Sequence, residues 1–243
     1  MANFVLTDGR LFMGGFDLSS HTQSMTLDLS AEEVDVTPIN SGGFRSRIGG
    51  LQDATLSANG FFEAGAGKPD ALLGVSAGNE IIGSVSATSS AGDIAYFLKS
   101  RQFSYNIGGA VGDVMPFSIN NSNSSDRAVR GTIMVDDSAN LTASGNSTGR
   151  ALGAVSAAQK LYVAAHVVSV SGTSSPTLTL KVQSDDNSSF TSATDRITLT
   201  NFTAIGAQYS SVAGAITDSH FRINYALSGT SPSFKVFITV GIV

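Results

Sequence analysis

The chain has 243 residues, of which 14 % are charged, with 26 glycines, no cysteine and no tryptophan. This length supports one large all-β domain or two smaller ones and excludes a marginal miniprotein. The missing thiols exclude disulfide frameworks, thiolate metal sites and cysteine nucleophiles. Charge so far below the roughly one quarter usual for soluble domains implies that partners cover much of the surface, and further copies of the same chain are the simplest cover.

The formal net charge is −5. Residues 1–135 hold 13 acidic and 8 basic side chains, whereas residues 136–243 hold 6 of each. The whole excess therefore sits in the first half, and an acidic module repels phosphate backbones. Tight DNA binding is disfavoured, although DNA can pass without being gripped.

In chain order, the opening decapeptide has neither a basic nor a long apolar region, so no secretory signal is expected. Met25, Leu27 and Leu29 alternate with Thr26, Asp28 and Ser30, which predicts a half-buried strand over 25–31. Turn-formers follow at Ser41-Gly42-Gly43, Gly49-Gly50, Gly65-Ala66-Gly67, Gly108-Gly109, residues 120–125 and residues 144–147. Pro69-Asp70-Ala71-Leu72-Leu73 can begin a short helix with proline in its first turn. The polar segment 136–149 reads as a linker and places a domain boundary near residue 140. Residues 151–165 are alanine-rich, but Leu161, Val163, Ala165 and Val167 alternate, so a loop entering a strand is expected. The longest apolar run, 161–168, is broken by His166 and falls short of the ~20 residues of a membrane helix. No membrane partner is expected.

Leu178, Leu180 and Val182 repeat the alternation, as do Phe221, Ile223, Tyr225 and Leu227. The last run continues in Phe234, Val236, Ile238, Val240 and Ile242. Gly229 and Pro232 suggest a hairpin turn joining these last two segments. Many short strands separated by frequent turns predict an all-β fold of the sandwich or barrel kind.

Chemical motifs are weak. Gly74-Val75-Ser76-Ala77-Gly78 and Gly145-Asn146-Ser147-Thr148-Gly149 match the nucleophile-elbow pattern, but neither has both the preceding strand and the following helix that the elbow needs. His21, His166 and His220 lack the i, i+4 pairing of a zinc helix. His166, within an apolar strand, reads as a core or interface residue with its ring nitrogens satisfied. Asp136-Asp137 and Asp185-Asp186-Asn187 lack the spacing of a calcium loop and read as turn residues. Gly65-Ala66-Gly67-Lys68 is followed by Pro69 where a phosphate loop needs Ser or Thr. Tyr96, Phe97, Phe103 and Tyr105 have too few basic neighbours for a nucleic-acid stacking platform and read as core or subunit contacts. No catalytic residue, metal or cofactor is implied.

One stretch stands out. Gly15-Phe16-Asp17-Leu18-Ser19 leads to the strand at Met25 and to Ala31-Glu32-Glu33-Val34-Asp35-Val36-Thr37. Arg45-Ser46-Arg47-Ile48-Gly49-Gly50-Leu51-Gln52-Asp53 and Gly60-Phe61-Phe62-Glu63 follow. Together with Asp218-Ser219-His220-Phe221-Arg222 and Gly229-Thr230-Ser231-Pro232-Ser233-Phe234, this resembles the tail tube proteins of long-tailed, siphophage-type bacteriophages.

The resemblance implies a virion structural protein rather than an enzyme. A β-sandwich or barrel tail-tube domain over 1–139 would form rings, usually hexameric, that stack into the conduit for genome DNA. A C-terminal β-sandwich module over 140–243 would decorate the outside. It implies partners among other phage tail proteins, DNA that passes without specific binding, and assembly in the host bacterial cytoplasm into the virion tail. Thr26, Asp28 and Ser30 would face a wet lumen. Ser41, Gly42, Gly43, Arg45 and Arg47 would belong to a protruding arm that meets carboxylates of a neighbouring subunit or ring. A solvated loop, a capsid decoration protein and a carbohydrate-binding adhesin module stay open as alternatives, although the last would favour tryptophan platforms that are absent.

Overall fold

The computed structural model describes residues 8–65, 67–124 and 126–243. Residues 1–7 of the opening decapeptide read for a signal lie outside them, as do Ala66 and Ser125 of two predicted turns.

The chain is nearly all β. The strands are β1 (Arg10–Met13), β2 (Phe16–Asp17), β3 (Thr22–Asp35), β4 (Arg47–Phe61), β5 (Glu80–Ser86), β6 (Ile94–Ile107), β7 (Pro116–Asn123) and β8 (Val129–Val135). After three two-residue strands, β9 (Asn140–Leu141), β10 (Gly145–Asn146) and β11 (Arg150–Ala151), come β12 (Lys160–Asp185), β13 (Thr194–Thr198), β14 (Gly206–Ala213) and β15 (His220–Ile242). The predicted helix forms as α1 (Pro69–Leu73), with proline in its first turn, where a missing N–H costs nothing.

All of the ladders between these strands are antiparallel and belong to one sheet. Its first half contains β3-β4-β7-β6, with β5, β1 and β2 beyond β6. The side chains turned inward here, including Leu11, Leu56, Leu73, Leu98, Phe117 and Ile119, form one core together with Met25 and Leu27 at its margin.

The second half is organised by β12 and β15, which pair along almost their whole lengths. No hairpin forms at 228–232. β15 runs straight through that segment, and its partner β12 is irregular at the matching place. Between the Thr173–Thr230 and Thr177–Ser228 pairs, β12 inserts residues 174–176 against Gly229 alone; on the other side β15 inserts residues 231–232 against Gly172 alone. Opposed bulges of this kind bend a ribbon sharply. Gly172 and Gly229 both have positive φ, and a Cβ on either would lie 2.9 Å from backbone of the opposite strand. The bend folds the ribbon over itself, so that Leu161, Val163, Ala165 and Val167 share a core with Leu178, Leu180, Val182, Phe221, Ile223, Phe234 and Val236. β13 and β14 extend the two leaves.

Three further turn assignments change. Gly49 and Gly50 lie inside β4, residues 120–123 end β7, and Gly145 and Asn146 form β10. The segment read as a linker is not free chain, because β9, β10 and β11 each pair with β15.

The halves meet on the near leaf of the ribbon. Over residues 161–167 of β12 the odd-numbered side chains enter the second core, while Tyr162, Ala164 and His166 point the other way and are also buried. There Phe12 stacks on Phe237 with ring centroids 4.2 Å apart, and Phe97 packs with Val129, Tyr162 and Ala164. β8 joins this leaf to β6 through ladders on both of its edges.

His166 is fully buried in this junction. The Gly15 amide donates to Nδ1 at 3.4 Å, and Nε2 lies 2.9 Å from the Ser84 hydroxyl, so both ring nitrogens are satisfied, as the sequence suggests. Burial depresses its pKa to about 3. The unfolded chain therefore takes up a proton near pH 6.5 that the folded one refuses, and this contribution to stability is lost as pH falls from 6.5 toward 3. Moving from pH 6.5 to 5 is expected to cost about 2 kcal/mol through this residue. Denaturant unfolding across that range should show the loss in the wild type and a shallower slope in His166→Gln. At the bend, Gly229→Val is expected to lower stability by about 1–3 kcal/mol, measured the same way against an exposed Ser228→Val control.

Candidate assembly surface

β3 and β4 outrun the body of the sheet. β4 is flanked by β7 only over residues 55–61, so beyond Ala54 the pair continues as a ribbon of two strands. The ladder runs on to the Asp35–Arg47 pair, and residues 36–46 form the tip. Two-stranded ribbons are marginal by themselves. This one is fastened at its end, where the Thr37 amide donates to Asp35 at 2.9 Å, the Ser46 amide to the Thr37 hydroxyl at 2.8 Å, and the Val36 amide to the Ser46 carbonyl at 3.0 Å. The Thr37 hydroxyl also holds the Asp35 carboxyl below its usual range.

The arm has no core of its own. Leu29, Val36, Ile39, Phe44, Ile48 and Leu51 are all exposed, Ile39 entirely. Ser41 accepts from the Phe44 amide, and Gly42 and Gly43 adopt the left-handed conformations that the tip requires. Arg47 lies in β4, not in the loop, and pairs across the ribbon with Glu33. Arg45 is exposed and meets no carboxylate among the described residues.

Thr26, Asp28 and Ser30 fall on the exposed side of β3, while Met25 and Leu27 are partly buried against the first core. Leu29 departs from the expected alternation, because the sheet beneath it has ended and it is 52 % exposed. Its side chain joins Met25, Leu27, Val85, Ile94 and Tyr96 in an apolar groove. Among the described residues β3 pairs only with β4, which leaves its other edge a row of backbone donors and acceptors without a strand partner there.

A second apolar projection lies at the far end of the same sheet and was not foreseen from sequence. The β6–β7 connection, residues 108–115, exposes Val111, Val114 and Met115 close to Phe61 and Ile107. Apolar residues inside a glycine-rich turn, Gly108 to Met115, are the signal that marks it. Phe103 is also exposed on β6, whereas Phe97 is buried and Tyr105 is partly buried with its hydroxyl 3.1 Å from Asp70. Burial, then that carboxylate, pushes the Tyr105 phenol up to about 12.

The residues considered for chemistry do not converge. The Ser76 hydroxyl donates to the Leu72 carbonyl at 2.6 Å, and that of Ser147 accepts from the Ile223 amide at 2.9 Å. His21 faces Glu63 at 3.2 Å, and His220 lies 3.1 Å from the Ser219 hydroxyl. Lys68 pairs with Glu63 at 2.7 Å. Asp185 accepts the amides of Asn187 and Ser192, and Asp136 those of Ala91 and Ser138, which is the behaviour of turn residues. Asp137 is buried between Arg10 and Lys235. Among the described residues no group of three or more His, Cys, Asp or Glu side chains is placed to hold a metal ion, and no helix is long and apolar enough to cross a membrane.

No protein-family model and no curated protein matches the chain. Among solved structures, it is similar to a chain of the virion of a native gene transfer agent particle, at 18 % identity and a TM-score of 0.37, over 48 % of this chain and 92 % of that one. A chain from the tail of the empty particle, solved with C6 symmetry, is 18 % identical with a TM-score of 0.36, over 44 % and 79 %. The Dit (gp 19.1) protein of phage SPP1, described as a hub adsorption apparatus, is 10 % identical with a TM-score of 0.35, over 98 % and 100 %.

Proposed function

We propose that the chain is a structural subunit of a bacteriophage tail, which joins further copies of itself into stacked, hexameric rings enclosing the conduit for genome DNA. The observation that carries this reading is the β3–β4 arm, a ribbon with exposed apolar residues on a chain that has two well-filled cores and little charge. An exposed apolar projection of this length marks a surface that partners cover. The edge of β3 that no described strand covers offers the backbone groups through which a neighbour's strand extends the sheet. Six subunits per ring is the number the family resemblance implies.

In this arrangement Thr26, Asp28 and Ser30 line the lumen. Their polar side chains, with the acidic excess of the first half, keep DNA from adhering over a Debye length of about 10 Å. Ser41, Gly42, Gly43, Arg45 and Arg47 belong to the contact between subunits or rings. Arg45 is the cation left for an intermolecular partner, since Arg47 is paired with Glu33 inside the subunit. The division near residue 140 is part of the same proposal: residues 140–243 form a sandwich around its own core, supported on the near leaf of the β12–β15 ribbon, and sit on the outside of the tube. The chain acts by assembly in the virion tail, with other tail proteins as partners, and is put together in the host bacterial cytoplasm.

Electron microscopy of the purified protein over a range of concentrations tests the reading. Hollow rods of stacked rings are the expected result. A particle that stays solitary at every concentration, or that coats a shell without an axial cavity, would overturn it.

A further inference from the structure

The two apolar projections lie at opposite ends of one set of strands. In the β3-β4-β7-β6 sheet, Arg47 marks the arm-tip end of β4 and Phe61 its other end, where it meets Pro116, the first residue of β7. Ile107 of β6 lies opposite Phe117, so the 108–115 turn projects from the end remote from the 36–46 tip. About 45 Å of strand separates them, and no copy can bring its own two ends together.

The two turns are matched in chemistry. Residues 36–46 hold a single charged side chain, Arg45, and residues 108–115 a single one, Asp113. Each charge is set among exposed apolar residues: Ile39 and Phe44 (82 % exposed) at the tip, Val111 and Val114 (69 % exposed) at the opposite turn. Gly42, Gly43, Gly108 and Gly112 have positive φ with nothing within 4 Å of an added Cβ, so both turns open onto free space.

We propose that the 36–46 tip of one copy seats on the 108–115 turn of the next, with Ile39 and Phe44 against Val111 and Val114 and Arg45 against Asp113. This rests on the assembly reading above and deepens it by naming the two surfaces that meet along the stack. Pairing of unlike ends is a heterologous contact, which propagates instead of closing as a two-fold dimer does. Charge enforces that choice. Tip against tip would oppose Arg45 to Arg45, and turn against turn Asp113 to Asp113, so the like-with-like contacts that would end growth are repelled.

A charge-swap experiment on the full chain tests the contact, with assembly followed by light scattering and electron microscopy and folding by thermal unfolding. Arg45→Glu and Asp113→Arg, each in an exposed turn, are expected to keep the wild-type unfolding midpoint and to raise the concentration needed for assembly by about tenfold or more. The double variant Arg45→Glu/Asp113→Arg should recover to within about threefold of wild type. An equimolar mixture of the two single variants should assemble where neither does alone, because the acidic tip of one fits the basic turn of the other. Folded single variants that assemble as the wild type does, or a folded double variant that stays as impaired as the singles, would overturn the contact while leaving the assembly reading standing. A wild-type chain that remains monomeric would remove both.

Discussion

The near leaf of the β12–β15 ribbon, buried on both faces, is the constraint from which the rest of the architecture follows. A strand with one wet face needs apolar side chains only at alternate positions; this one must satisfy two cores at once. Leu161, Val163, Ala165 and Val167 serve one, and Tyr162, Ala164 and His166 serve the other. β15 answers with Val236, Ile238 and Val240 on one side and Phe237 and Thr239 on the other. Because the leaf is continuous with β8, and β8 with β6, the halves share main-chain ladders as well as side-chain contacts. A polar ring is tolerated at His166 because Gly15 and Ser84, both from the first half, satisfy its two nitrogens. The same histidine therefore adds hydrogen bonds between the halves to the ladders and packing that join them.

From that leaf the molecule extends in two ways. The ribbon bends at Gly172 and Gly229 and builds a second core against itself, and residues 140–151 lie along β15 as short ladder segments. On the other side, the first half packs α1, β1 and β5 against β4, β6 and β7, and then lets β3 and β4 run on past the limit of that core. Stability resides in the cores and the leaf between them, while the parts that project have ladder bonds but little burial. The contacts proposed for such projecting parts would therefore change without disturbing the interior.

Much of this was legible in the sequence wherever one strand has one buried face. Alternation at 25–27, 178–182 and 221–223 correctly marked inward side chains, and Pro69 marked the start of α1. The errors share a cause: residues that favour turns also serve inside strands when a partner makes room for them. Gly229 and Pro232 read as a hairpin because nothing local reveals that Gly172 to Pro176 carries the matching irregularity some 55 residues earlier. Gly50 sits in β4 because Glu32 and Val34 of the facing strand occupy the space a side chain would need. Asn121 looked like a loop residue, yet it is buried in β7 with its amide toward Ser100. Of the arm, Ser41, Gly42, Gly43 and Arg45 lie in the tip, whereas Arg47 is a strand residue tied to Glu33. Gly108-Gly109 marks the 108–115 connection as a turn, but backbone freedom says nothing of the exposed Val111 and Val114 that the turn displays.

The low charge of the chain takes on a definite meaning in this light. A soluble monomer normally surrounds its exposed apolar residues with charges of both signs, which keep copies apart. Here the 36–46 tip and the 108–115 turn hold one charged residue each, and the signs are opposite. Repulsion between copies is therefore weak for unlike ends and present for like ends, which is the reverse of what protects a monomer and is what a directional contact requires. The arm's dependence on its continuation into the β4–β7–β6 sheet adds a second condition, since a ribbon without a core keeps its register only while the body holds its base. The junction leaf orders the sheet, the sheet orders the arm, and the arm carries the apolar tip outward, where the proposed contact would meet another copy.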